Sequence, residues 1–357
     1  MSLGVGSVLL GRYQILRLIG QGGMGTVYAA FDQQLNHQVA IKYFRGQDAT
    51  FQSNLQREAQ ILARLRHPSL PRVYDLQRVG DAAFLIMDLI EGENLDTLLF
   101  QRGAAFEPDV VLAWAKALAP ALSYLHYQTP PVIHRDIKPQ NIIRTPDGQL
   151  ILVDFGLAKQ WASSNQSVVA YTLAYAALEQ IQATSPVNQR SDVYSFAATL
   201  YHLLTNCEPA DALTRASSLI NGQPDPLVNP VNLNPAVSPA MAAVLAQAMA
   251  LPAHERPASI DQFIQQLQQS FYNQPSLMSS AGQPTIVQRP AVATIVLPTA
   301  TKPALSAQQI LQPQVPPQQI TYQEKSESSL NLEQLWTFLM VLLFLVGLMV
   351  WITNAMN

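Results

Sequence analysis

Cysteine is nearly absent from this sequence: of 357 residues, only Cys207 is one. A single thiol cannot close an intrachain disulfide, so the fold must rest on its core, and a reducing compartment fits. Charge is scarce as well, with 13% of residues charged and a formal net charge of −3. No basic excess exists to draw a phosphate backbone, so nucleic acid is not an expected partner. The opening residues, MSLGVGSVLLGRYQ, put no charge ahead of a short apolar run and pass straight into a strand-like pattern. A secretory signal peptide is therefore not expected.

The chain is apolar for a soluble protein, at 48% hydrophobic, and the excess has a local source. Residues 335–353 read LWTFLMVLLFLVGLMVWIT, without one charge. As a helix they would extend roughly 28 Å, about the hydrocarbon thickness of a bilayer. Trp336 and Trp351 stand where an aromatic belt would lie. A transmembrane helix is expected there, followed by a short tail, 354–357. Residues 273–334 are rich in proline and glutamine, and Gly282 is the only glycine of 273–330. A flexible linker with a reach of about 45 Å is expected, with short strands at 286–287 or 295–296 as the alternative. With so short a tail, everything ahead of the helix is expected on the inner side of the membrane.

Residues 1–272 mix two periodicities. Tyr13–Ile19, Thr26–Asp32 and His37–Phe44 read as strands, with shorter ones near Val73–Leu76 and Ala83–Leu89. Between them, Phe51–Arg66 has helical spacing, with Leu55, Glu58, Leu62 and Leu65 on one face. Beyond Asp109 the pattern is mostly helical, and Pro120 should kink the helix that contains it. Sheet first and helices after imply an α+β chain of two lobes with a cleft between them.

Chemistry concentrates in three places. GQGGMG, Gly20–Gly25, lets backbone N–H groups approach phosphate oxygens. A dinucleotide-binding loop would lead into a helix, and a Walker loop would carry a lysine after its last glycine; here the strand Thr26-Val27-Tyr28 follows. VAIK ends on Lys42, whose place among apolar strand residues demands an anion, either Glu58 or phosphate. VIHRDIKPQNII brackets His134, Arg135, Asp136, Lys138 and Asn141 with β-branched residues, so five polar groups sit at the edge of a core. With Asp154 of the DFG triplet, Asp136 and Asn141 supply the hard oxygen donors that magnesium prefers, and Lys138 is a cation placed against a transferred phosphate.

Taken in order, GQGGMGTV, VAIK, HRDIKPQN, DFG, SDVYSFA and HERP resemble the eukaryotic-like (Hanks-type) bacterial serine/threonine protein kinases over residues 13–271. The resemblance implies a bilobal kinase fold and use of ATP and Mg2+ on protein substrates. It implies that Gly20, Gln21, Gly22, Gly23, Met24 and Gly25 cover the phosphates, and that Lys42 holds them while pairing with Glu58. Asp136 would accept the substrate's proton, and Asn141 and Asp154 would hold the metal. Val27, Ala40 and Ile143 would line the adenine pocket, with Met87 as gatekeeper and Asp88–Ile90 as hinge. Lys138 and Thr172 mark the serine/threonine branch, and Arg135 is of the kind that meets a phosphorylated activation segment. Ser163, Ser164 and Ser167 are the sites expected to take that phosphate, for which a homodimer would serve in trans. A bacterial inner membrane, with the kinase cytoplasmic, is the location implied.

Two positions depart from the family pattern. Leu178 replaces the proline of Ala-Pro-Glu, and Ala197 replaces the glycine of DVYSxG. Both concern packing and the peptide-docking surface, and neither removes a catalytic group. Glu179 is retained, and Arg256 is its expected partner in a buried ion pair. A pseudokinase scaffold at the membrane is the rival reading, and presence of Lys42, Asp136 and Asp154 opposes it. Phosphorylation of a small molecule is opposed by the recognisable activation segment.

Overall fold

The computed structural model describes residues 3–22, 25–44, 49–155, 173–182 and 186–272. The expected linker 273–334, the expected span 335–353 and its tail lie outside the described residues. So do Gly23, Met24, Gly156, Thr172, Ser163, Ser164 and Ser167. Among the described residues no helix is long and apolar enough to cross a membrane.

The first half is a sheet ordered β1-β2-β3-β4-β6-β5, antiparallel throughout. Its strands are β1 (Val8–Leu9), β2 (Tyr13–Gly22), β3 (Gly25–Asp32), β4 (His37–Phe44), β5 (Val73–Val79) and β6 (Ala82–Asp88). Period-two alternation sorts side chains onto two faces. Tyr28, Ala30, Val39, Ile41, Tyr43, Phe84 and Ile86 close a separate outer cluster with Tyr13 and Ile15. On the other face the register sets Val27 beside Lys42 and Ala40 beside Met87. That inner face, with Phe44 and Leu85, joins the main core.

Helix α1 (Ala49–Leu62) packs beneath this face through Leu55, Ala59 and Leu62. It stops earlier than Arg66 because its last turn tightens: Arg64 N donates to Ile61 O and Leu65 N to Leu62 O. The remaining helices are α2 (Leu95–Arg102), α3 (Pro108–His126), α4 (Leu178–Gln182), α5 (Gln189–Thr205), α6 (Ala212–Ile220), α7 (Pro230–Leu233), α8 (Pro239–Ala248) and α9 (Ile260–Tyr272). Helix α3 runs through Pro120 as one element, with that residue exposed and Ala119 and Ala121 buried on either side. Helix α5 is the axis of the helical lobe, buried from Ser191 to Thr205. Its hydroxyls bond back along the helix, Thr199 to Ser195 O and Thr205 to Tyr201 O, so no buried polar group there goes unpaired. A second sheet, β7 (Glu93–Asn94), β8 (Ile142–Arg144) and β9 (Leu150–Leu152), lies between the halves in sequence. The two-lobed α+β reading holds.

Candidate active site

The glycine turn comes first. Gly22 pairs with Gly25 where β2 meets β3. Gly25 has φ +137°, and a Cβ there would lie 2.4 Å from Tyr43 O, so only glycine fits. Gly20 and Gly22 meet nothing within 4 Å where a Cβ would stand, leaving their outer side open to a ligand.

Lys42 is buried and pairs with Asp154, 112 residues away, across the two halves of the chain. The expected Lys42–Glu58 pair is not made in this structure. Glu58 instead has a buried Oε2 with no hydrogen-bond partner. Burial raises its carboxyl to about 7, opposed only by the charge of Arg135. The reason lies in α1: local sequence fixes which face Glu58 occupies but not the rotation of the helix against β4.

The HRD stretch forms a loop pinned from below. His134 N and Arg135 N donate to the two carboxylate oxygens of Asp192, at 2.8 and 2.9 Å. Asp192 sits in the first turn of α5, wholly buried, and also takes His126 Nε2 at 2.8 Å. Burial pushes its carboxyl up, but the hydrogen bond and charge of His126 outweigh that and the net shift is down. Arg135 and Asp154 both hold φ 65°, a left-handed conformation that non-glycine residues adopt at a cost. Neither Asp192 nor His126 was assigned a role from sequence; the signal was a buried-pattern histidine and an aspartate opening an apolar helix.

On that loop Asp136 is buried, and Asn141 Nδ2 donates to its Oδ2 at 2.9 Å and to its main-chain oxygen at 2.8 Å. Lys138 Nζ lies 3.2 Å from the same Oδ2. Val153 N donates to Asn141 O at 2.8 Å, which ties the strand end carrying Asp154 to this loop. Asn141 has spent its amide nitrogen, leaving its Oδ1 to ligate a metal, and Asp154 keeps a second oxygen beyond the one on Lys42. Among the described residues no cluster of three or more acidic, histidine or cysteine side chains is placed to hold a metal, and two oxygens alone suit an ion that keeps waters and phosphates in its shell, as magnesium does.

The adenine-side residues separate by role. Ala40 is buried; Val27, Met87, Ile90 and Ile143 are half-buried. Asp88 spends its carboxylate on Arg72 N and Tyr74 OH, so its side chain serves β5 and only its main chain remains for a base. Gln21 is exposed at the end of β2. Farther down, Glu179 and Arg256 form the expected buried pair, at 2.7 and 3.1 Å. Arg256 also donates to Ala250, Arg190 and Leu251 carbonyls, which satisfies all five of its N–H groups.

The chain matches the family model described as protein kinase domain over residues 13–272. Among similar proteins, a probable serine/threonine-protein kinase of Clostridium acetobutylicum is 35% identical over 239 residues, which is 64% of this chain and 35% of that one. Serine/threonine-protein kinase PknH of Mycobacterium tuberculosis is 34% identical over 261 residues, 71% of this chain and 41% of PknH. PknL of the same species is 35% identical over 238 residues, 61% of this chain and 59% of PknL. The chain thus spans between about a third and three-fifths of the length of these relatives. A crystal structure of a mutant Mycobacterium tuberculosis PknI kinase domain superposes with a TM-score of 0.61 at 27% identity, covering 76% of this chain and 100% of that one. With the family's motifs in place on its two lobes, the chain belongs to the protein kinase family, on the branch of the Hanks-type bacterial serine/threonine kinases.

Proposed function

We propose that this chain is a membrane-anchored serine/threonine protein kinase. The observation that carries the catalytic part is the convergence of Lys42, Asp136, Lys138, Asn141 and Asp154 at one junction of sheet and helical lobe. A substrate hydroxyl attacks the γ-phosphorus of ATP, the bond from that phosphorus to the β–γ bridging oxygen breaks, and ADP leaves with the electron pair. Asp136, held by Asn141 and Lys138, takes the hydroxyl proton. Lys138 and Lys42 offset charge on the phosphates, Lys42 after leaving Asp154. Asn141 and Asp154 would hold magnesium, which would offset the negative charge of the phosphates. Lys42 then needs a new carboxylate, and Glu58 becomes its partner on rotation of α1.

Composition supports the anchor: residues 335–353 are apolar, uncharged and long enough. Autophosphorylation at Ser163, Ser164 or Ser167, in trans between two copies, rests on Arg135, which would receive the phosphate. In the purified full chain, Lys42→Met and Asp136→Asn should each cut phosphorylation of a generic protein substrate by roughly 1,000-fold or more without shifting the melting temperature appreciably. Near wild-type transfer by either variant would sink the assignment. Phosphate appearing on an Asp136→Asn chain when mixed with active enzyme is the expected mark of transfer in trans.

A further inference from the structure

Three successive peptide planes carry Asp136, and each is held by a side chain from a different part of the chain. Arg135 N donates to Asp192 Oδ1 at 2.9 Å, which holds the plane ahead of Arg135. Asn141 Nδ2 donates to Asp136 O at 2.8 Å, which holds the plane after Asp136. The plane between them, joining Arg135 to Asp136, is held through its oxygen: Gln180 Nε2 donates to Arg135 O at 3.0 Å. Arg135 has φ 65°, a conformation that costs energy outside glycine and persists where its surroundings hold it. Each plane is rigid, so turning the middle one changes ψ of Arg135 and φ of Asp136. The direction of the Asp136 side chain changes with them.

Gln180 is half-buried and is the third residue of α4. Its Oε1 accepts from Ala177 N at 2.9 Å, a glutamine in the first turn reaching back to the residue ahead of the helix. The Ser195 hydroxyl of α5 lies 3.4 Å from the same oxygen. These contacts settle which way the amide faces. Turned over, its NH2 would meet the Ala177 N–H and its oxygen would meet Arg135 O, two mismatched pairs in place of two bonds. Leu178 stands where the family pattern has proline, so α4 begins without the ring that presets φ at a first helical residue. The Gln180 cap closes that start instead. Glu179, next to it, is locked on Arg256 and the Ser191 hydroxyl, which fixes the rotation of α4 and so the aim of Gln180. We infer that Gln180 is a positioning residue for phosphoryl transfer: its amide sets the Arg135–Asp136 peptide plane and ties the aim of Asp136 to a formed α4. The inference rests on the protein kinase reading.

The test uses the purified full chain with ATP, magnesium and a generic protein substrate, and it separates the two ends of the amide. Gln180→Glu keeps an acceptor for Ala177 N and puts a second oxygen against Arg135 O. Gln180→Lys keeps a donor for Arg135 O and gives up the acceptor. In Gln180→Glu, kcat should fall by roughly 10- to 100-fold, the cost of a small displacement of a reacting group, while KM for ATP and the melting midpoint hold. In Gln180→Lys the midpoint should drop with the lost cap, while most of the wild-type kcat is kept. A wild-type kcat in Gln180→Glu overturns the inference. So does a kcat lost equally in both variants, the pattern of a helix cap and nothing more. Should Gln180→Glu not fold, Gln180→Met, which has neither group, takes its place in both comparisons. Hydrogen exchange keeps this apart from the kinase reading. Residues 134–138 should take up deuterium faster in the variant without the donor than in wild type or Gln180→Lys, with α5 unchanged. If the wild-type chain phosphorylates no protein, the kinase reading fails and exchange alone decides: faster uptake at 134–138 keeps Gln180 as the clamp on this loop, and unchanged uptake overturns it.

Discussion

Glu58 carries an unusual load for one carboxylate: a buried oxygen without a donor, a pKa raised to about 7 by burial and, among the described residues, Arg135 alone as offsetting charge. Its sign on stability follows. Below pH 4.5 it is neutral folded and unfolded alike; between there and about 7 the unfolded chain ionises while the folded one resists; above that the penalty is complete. Glu58→Gln should therefore raise the melting temperature at pH 8 by roughly 2–4 °C, the shift that about 1 kcal/mol gives a domain of this size, and leave it unchanged near pH 4.5. The same variant should lower kcat/KM for a protein substrate by about tenfold or more, because Lys42 loses the partner it needs once it lets go of Asp154. Thermal scans at the two pH values, beside initial rates, read both effects. A variant as active as wild type would mean that Lys42 works without Glu58.

At the scale of elements, two ion pairs pin segments that side-chain patterning alone would leave loose. Arg12 clasps Asp32 with two bonds, at 2.8 and 2.6 Å, across the base of the β2–β3 hairpin, and Gln34 N and Leu35 N donate to the same carboxylate. The Arg12 bond is the chief reason that Asp32 is held at about 2. A depressed acid stabilises above its unfolded value, near 3.8, and that contribution drains away as pH falls towards 2. Asp32→Asn should accordingly flatten the acid limb of a stability–pH curve over that window; an unaltered limb would remove Asp32 from the account. Arg256→Ala breaks a buried pair and leaves the buried Glu179 carboxylate with the Ser191 hydroxyl but without its arginine, at a cost of roughly 3–5 kcal/mol. Its melting midpoint should drop by many degrees, and an unchanged one would contradict the buried geometry.

These elements also show what could be foretold. His37–Phe44 was legible to the residue because it is a short run rich in β-branched and aromatic residues, and the structure buries both of its faces from Val39 to Phe44. The pairing of Glu179 with Arg256 was legible because the family motifs carry both ends. The partner of Lys42 was not, since either carboxylate is in reach and the choice turns on how α1 sits, which no local pattern records. Pro120, expected to bend α3, lies inside one continuous helix, exposed, while the alanines on both sides are buried.

For the molecule as a whole, the anchor has the simplest test. A chain ending at residue 334 should leave the membrane pellet for the supernatant and still phosphorylate a generic protein; retention in a carbonate-washed pellet would place the membrane contact elsewhere. Within residues 13–272 the larger consequence comes from the main core. It runs without a break from Phe44, Leu55 and Leu85 beneath the sheet to Phe263 and Leu267 in α9. Heat absorbed in a calorimeter should then appear as one peak, because neither half can lose its apolar contacts while the other keeps them. Only the outer cluster of the sheet, centred on Ile41 and Ile86, stands apart from that continuity. Amides of β2 and β3 can therefore exchange with solvent deuterium ahead of the global event, while those of α5 wait for it.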